Sequence, residues 1–130
     1  TVLSALPLGA ATVFFHDSNA YPEPGGFWVR GGSTTEATFM KDPAGDRDLV
    51  LDVRTGANPN RILISTPSWA EQIDLVPYTT RTVVVPSRSA DRFVSVHITS
   101  RGGFVPAELG PGSTDTRRLG CWVAIGSAPA

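Results

Sequence analysis

The chain holds two histidines, far apart: His16 ahead of Asp17, and His97 inside the run FVSVHIT. Either could act as a general base or a metal ligand. Neither has a second histidine at HxH or HxxxH spacing, so the metal signal is weak. Asp17, Asn19 and Glu23 share one loop. A D-x-N start places carboxylate and amide oxygens at alternate positions, as calcium loops do. The glycine and closing glutamate of such a loop are missing, so an Asx-turn cap is the plainer reading and a structural calcium ion the alternative. Glu36, Asp48, Asp52, Glu71 and Asp74 fall on strand faces that read as solvated. Glycoside hydrolysis would need two of them across one cleft. A small hydrolase would need a histidine beside a nucleophile such as Ser18 or Ser100. No GxSxG elbow, P-loop or GxGxxG is present. The expectation is a non-catalytic chain with no metal ligands.

The aromatic residues are the stronger lead. Tyr21, Phe27, Trp28, Trp69, Tyr78, Phe104 and Trp122 are spread over strands and loops. An exposed indole or phenol on a sheet stacks on the apolar face of a sugar ring, while a nearby Arg, Asp or Asn bonds the hydroxyls; inside a sandwich the same side chains fill the core. Phe27 and Trp28 are neighbours on one strand, so they point to opposite faces. Trp122 reads as core. The expected ligand-facing set is Trp28, Arg30, Trp69 and Tyr21. Its mechanism is stacking plus bidentate arginine hydrogen bonds to hydroxyls or a uronic acid.

The elements that must position these residues are strands. Short runs rich in Val, Ile, Thr and aromatics alternate with Gly, Pro, Asn and Asp almost end to end, the pattern of a sandwich or barrel. Predicted strands cover 12–16, 26–30, 33–41, 47–54, 61–66, 69–76, 79–85, 93–99 and 117–125. Residues 33–41 and 47–54 alternate cleanly, with Thr35, Ala37 and Phe39 on one side of the first and Leu49, Leu51 and Val53 on one side of the second. Residues 17–26 read as a long loop, because Pro22 and Pro24 cannot continue a ladder. Gly31–Gly32 reads as a hairpin turn, Asp42–Asp46 as a turn, 100–116 as a second long loop, and Gly120 as a bulge. The result is a single jelly-roll-like antiparallel β-sandwich of about nine strands. The sandwich should span 12–126, with 1–11 a linker remnant or edge strand and 127–130 a small-residue tail.

Composition narrows the partners. The chain has 130 residues, 41% of them hydrophobic, enough for one core. Eleven basic residues face 12 acidic ones, for a net charge of -1, so the balance carries no footprint for nucleic acid. A single cysteine, Cys121, excludes an internal disulfide and a cysteine zinc site, and its apolar setting predicts an inert thiol. Residues 1–11 are apolar but too short to span a bilayer, and they lack the charged start of a signal peptide, so no direct membrane insertion is expected. The chain reads as a piece of a longer protein.

Two stretches carry a resemblance. Pro24–Gly32 (PGGFWVRGG), followed by Thr34–Phe39, is similar to small sandwich domains of bacterial envelope proteins. Phe104–Trp122 (FVPAELGPGSTDTRRLGCW) has the pattern F-x-P, then Gly/Ser, then D-x-R-x-L-G before a final apolar strand. It resembles the last loop and strand of jelly-roll, carbohydrate-binding-module-like domains appended to bacterial membrane glycosyltransferases. The resemblance covers about half the chain. It implies an extracytoplasmic accessory module that presents glycan or lipid-linked sugar to a neighbouring domain of its parent. The alternative is a structural domain packed on that parent through an apolar patch with Leu3, Leu6 and Leu8. In the second stretch Asp115 can bond loop amides and pair with Arg117 or Arg118, Pro106 stiffens the loop, and Phe104 can plug the sandwich end.

Overall fold

Apolar residues at every second position build strands that each bury one face. Residues 93–100 show it most simply: Val94, Val96 and Ile98 are buried while Phe93, Ser95 and His97 face solvent. The computed structural model describes residues 1–42 and 48–126. Its elements are β1 (Ser4–Leu8), β2 (Ala11–Phe15), β3 (Ala20–Glu23), β4 (Gly26–Arg30), β5 (Ser33–Lys41), β6 (Leu49–Thr55), β7 (Asn60–Thr66), β8 (Trp69–Leu75), β9 (Thr80–Val85), β10 (Phe93–Ser100), a one-turn helix α1 (Pro106–Leu109), and β11 (Leu119–Ile125). Within the predicted turn at 42–46 only Asp42 is described; Arg47 and the tail at 127–130 also lie outside the described residues.

The strands form two antiparallel sheets, a six-stranded one in the order β1-β2-β5-β10-β7-β8 and a five-stranded one in the order β3-β4-β11-β6-β9. The pairings β4/β11, β5/β10, β6/β9 and β7/β8 are nested inside one another. They describe one long antiparallel ribbon rolled into two layers, the jelly-roll arrangement. The three N-terminal strands extend this barrel-like roll along one side: β1 and β2 beside β5, and β3 beside β4.

The sandwich expected from the sequence is present, with 11 strands rather than nine. Both added strands contain proline, and both are edge strands, where an absent N–H costs no ladder bond. Pro7 lies in β1 and Pro22 in β3. The segment 1–11 therefore contributes an edge strand. Within the loop expected over 17–26, residues 20–23 form β3, folded back on β4 around Pro24 and Gly25, whose φ of 89° suits glycine. Gly31–Gly32 is a turn, but no hairpin: β4 and β5 lie in different sheets, so it carries the chain between layers.

The core lies between the sheets. Phe27 meets Phe15 edge-on at 4.9 Å and Phe39 at 6.3 Å, and Leu51, Ile62, Ile64, Ile73, Val96 and Ile98 fill the space around them. Each such side chain contributes roughly 1.5–3 kcal/mol by leaving water. β1 turns Leu6 and Leu8 towards this core, while Leu3, just ahead of it, is exposed, so the three leucines named for the alternative reading do not share one exposed patch. Cys121 is wholly buried, and burial pushes its thiol up to about 12, which keeps it protonated and inert. Gly120 is the expected bulge: the β11/β4 register shifts between Leu119 and Cys121. Among the described residues no helix is long and apolar enough to cross a membrane.

Candidate ligand-binding face

On β4, Phe27 and Val29 point inward, so Gly26, Trp28 and Arg30 share the outer face of the five-stranded sheet. Register then lines up the neighbours of Trp28. Tyr21 on β3 lies opposite it on one side and Trp122 on β11 on the other; Trp122 is opposite Arg54 on β6, and Arg54 opposite Thr80 on β9. The outer face therefore carries one continuous cross-strand row, Tyr21–Trp28–Trp122–Arg54. Cross-strand aromatic neighbours stabilise a sheet by roughly 0.2–1 kcal/mol each.

The rings are held at defined angles. Trp28 and Trp122 meet at 5.4 Å and 63°, and the loop residue Phe104 meets Trp28 edge-on at 5.7 Å and 83°. Trp122 lies across β4 at Gly26: a β-carbon there would come within 2.5 Å of Trp122 Cζ2. Glycine at 26 thus makes the space in which the indole rests on the sheet. Phe104 occupies a comparable space over Gly56 and pairs its backbone with Leu119. It therefore packs beside Trp28 at the end of the sheet where β6 stops and β11 begins.

An arginine stands at each end of the row. The Arg54 guanidinium lies 5.6 Å from the centre of the Trp122 ring, and that of Arg117 lies 5.2 Å from the centre of Tyr21. Arg117 is clamped: its Nε and Nη2 donate to the two Asp115 oxygens at 3.0 and 2.8 Å, and Nη2 also donates to Glu23 Oε2 at 2.9 Å. The Arg117 amide donates to Asp115 Oδ1 at 3.0 Å, and the Asp115 amide donates to Ser113 Oγ at 3.1 Å. The expected pairing of Asp115 is thus present, with Arg117, and it ties the loop before β11 to the edge strand β3.

Hydrogen bonds from the Arg117 side chain, then from its backbone amide, hold the Asp115 carboxyl below the usual carboxylate range, and the Asp115 and Glu23 carboxylates raise Arg117. A depressed folded-state pKa stabilises the loop at pH above the ordinary aspartate value. That contribution fades as the pH falls through the depressed value. In an NMR titration the Asp115 carboxyl carbon should therefore show a midpoint below that of an unperturbed aspartate, and Arg117→Gln should move it back up. An ordinary midpoint in the wild-type chain would mean the clamp is not populated in solution.

Of the four residues expected to face a ligand, the structure brings Tyr21 and Trp28 into direct register and places Arg30 two residues along the same face, exposed. Trp69 is elsewhere. It begins β8, at the edge of the other sheet, and packs against the core. Trp122, expected in the core, is on the outer face; the apolar run LGCWVAI hides its alternation, because Cys121 and Val123 are the inward pair. Arg54, Arg117 and Phe104 join the face through register and loop path. A signal for Arg54 was present in the alternation of Leu51 and Val53 with Asp52 and Arg54.

The remaining chemistry-bearing residues sit apart from this face. Asp17 forms the Asx turn: Oδ1 accepts from the Asn19 amide at 3.0 Å and from Thr35 Oγ1 at 2.8 Å, and Oδ2 accepts from the Glu36 amide at 2.8 Å. His16 Nε2 lies 2.7 Å from Thr38 Oγ1, and His97 Nε2 lies 4.0 Å from Glu36 Oε1. Ser100 is buried, with its hydroxyl accepting from Asn60 Nδ2 at 2.7 Å and donating to the Gly102 carbonyl at 2.9 Å. Among the described residues no group of three His, Cys, Asp or Glu side chains is placed to hold a metal ion. Compared with known proteins, the chain matches no family model and no curated sequence.

Proposed function

We propose that this domain is a non-catalytic carbohydrate-recognition or accessory module of a larger bacterial envelope protein, working outside the cytoplasm beside a domain such as a glycosyltransferase. The observation that supports this reading is the row Tyr21–Trp28–Trp122 across three paired strands on an outer sheet face. A pyranose ring presents C–H groups on one face and hydroxyls around its rim. The former suit a half-exposed indole, and the latter suit guanidinium donors and carboxylate acceptors beside it. Arg30 and Arg54 are exposed on this face without an acidic partner among the described residues, and Asp52 lies next to Arg54 on the same side of β6. Glycan or lipid-linked sugar carrying a carboxylate or phosphate is the ligand class that uses both the rings and the arginines.

A second reading draws on the same face. Arg54 and Arg117 already lie over the rings of Trp122 and Tyr21. A face so covered also suits packing against a neighbouring domain of the parent protein.

A glycan array separates the two. The wild-type domain should bind a defined set of glycans, Trp28→Ala and Trp122→Ala should each weaken that binding about tenfold or more, and Trp69→Ala, on the other sheet, should leave it intact. No glycan bound by a domain that unfolds cooperatively would favour the packing reading. Loss in Trp69→Ala alone would move the site to the other sheet.

A further inference from the structure

The turn between β8 and β9 holds a bulky residue in an unusual backbone conformation. Tyr78 has a φ of 56°, in the left-handed region where a β-carbon is strained, yet its side chain is 76% exposed. Val76, two residues before it, is 66% exposed, and Pro77 stands between them. The backbone is nonetheless held firmly. Thr55 Oγ1 donates to the Val76 carbonyl at 2.6 Å, the Thr79 amide donates back to Thr55 Oγ1 at 3.0 Å, and the Tyr78 amide donates to the Gly56 carbonyl at 3.0 Å. A fixed turn thus presents two apolar side chains to solvent at one end of the sandwich.

Two arginines stand near this tip in the fold. Arg101 and Val76 line the same cleft of about 670 Å³, together with Pro59 and Leu75. Arg81, three residues after Tyr78 on β9, is exposed. Neither Arg81 nor Arg101 has an acidic partner among the described residues. The nearby acid Asp74 is already bonded to Arg61, at 2.9 Å. The net charge of -1 for the whole chain conceals this local excess.

From this arrangement we propose that the Val76–Tyr78 tip docks the domain on an anionic lipid surface. Tyrosine suits the boundary between headgroups and acyl chains, because its ring is apolar and its hydroxyl stays wet. Arginines beside it meet lipid phosphates, and apolar burial adds to that attraction. A soluble polyanion would engage the arginines and leave Val76 and Tyr78 in water, which is why the lipid surface fits the tip better.

The test is co-sedimentation of the domain with vesicles of phosphatidylcholine mixed with phosphatidylglycerol, beside vesicles of phosphatidylcholine alone. Neither vesicle carries a glycan, so the result is independent of sugar recognition. The domain should sediment with the mixed vesicles only, and rising salt should release it. Arg81→Ser and Arg101→Ser should each weaken binding about fivefold. Tyr78→Gly is the informative variant: glycine relieves the left-handed backbone, so thermal stability should hold or rise while vesicle binding falls severalfold. Phe93→Ser, an exposed aromatic removed elsewhere on the surface, should change nothing. No sedimentation with the mixed vesicles, or binding that Tyr78→Gly leaves unchanged, would overturn the proposal. Equal losses in Phe93→Ser would also overturn it.

Discussion

Phe27→Ala should lower the unfolding free energy by about 3–5 kcal/mol, a large share of the total for a domain of this size. Phe27 is fully buried, its ring meets Phe15 at 4.9 Å and 78°, and Phe39 closes its other side at 6.3 Å. Truncation leaves a cavity between two sheets that are each braced by their own ladders, so neither can collapse far to fill it. Trp28→Ala, one residue along β4, should cost only about 1–2 kcal/mol, because it removes ring contacts with Trp122 and Phe104 from a half-exposed face. The pair separates stability from recognition: the first should unfold early in urea with an unchanged m-value, and the second should stay folded and lose ligand. Similar costs at both positions would mean that the alternation of β4 is not the one described.

Gly120→Val should be nearly as damaging, at about 3 kcal/mol or more. A β-carbon at this bulge would run into Ser100 Oγ and come within 2.7 Å of both Ser100 Cβ and the Val29 carbonyl. Ser100 has no room to retreat, being buried and bonded to Asn60 and Gly102, and Asn60 Oδ1 in turn accepts from the Gly102 amide at 2.8 Å. The bulge lets Ser100 sit beneath β11, and so fixes where the loop leaving β10 begins its path to Phe104. In a Ser100→Gly background the same valine should cost less, though the Val29 carbonyl still opposes it. A double-mutant cycle by urea unfolding measures that coupling. Equal costs in both backgrounds would show that Ser100 is not the obstacle.

Much of this architecture is legible in single residues. Val94, Val96 and Ile98 alternate with polar neighbours, and the strand they predict buries those three. The strict neighbour rule placed Phe27 and Trp28 on opposite faces without any knowledge of the partner strands. Pro22 misleads in the sequence: it argues against a ladder only where both edges of a strand are paired, and edge position is a property of the assembled sheet. Trp122 was misread for a different reason. It stands in an uninterrupted apolar run, where period two has no contrast, and the Gly120 bulge resets the register within it.

The candidate site divides in the same way. Tyr21 and Trp28 could be named from their residue types, yet their adjacency comes from the β3/β4 register, and the addition of Trp122 from β11 lying beside β4 nearly a hundred residues later in the chain. Trp69 has the same chemistry as Trp28 and lies in the other sheet, a separation no composition reveals.

Alternation, turn residues and the lone cysteine establish an all-β sandwich with an apolar core and a buried thiol, because local backbone preference and hydrophobic burial act residue by residue. The nested pairing of β4 to β11 establishes which aromatics meet, which arginines stand over them, and which turn is left exposed at the end. Those are long-range contacts between segments whose local sequences are almost interchangeable, so register and sheet order select them, and both exist only once the two layers have closed on each other.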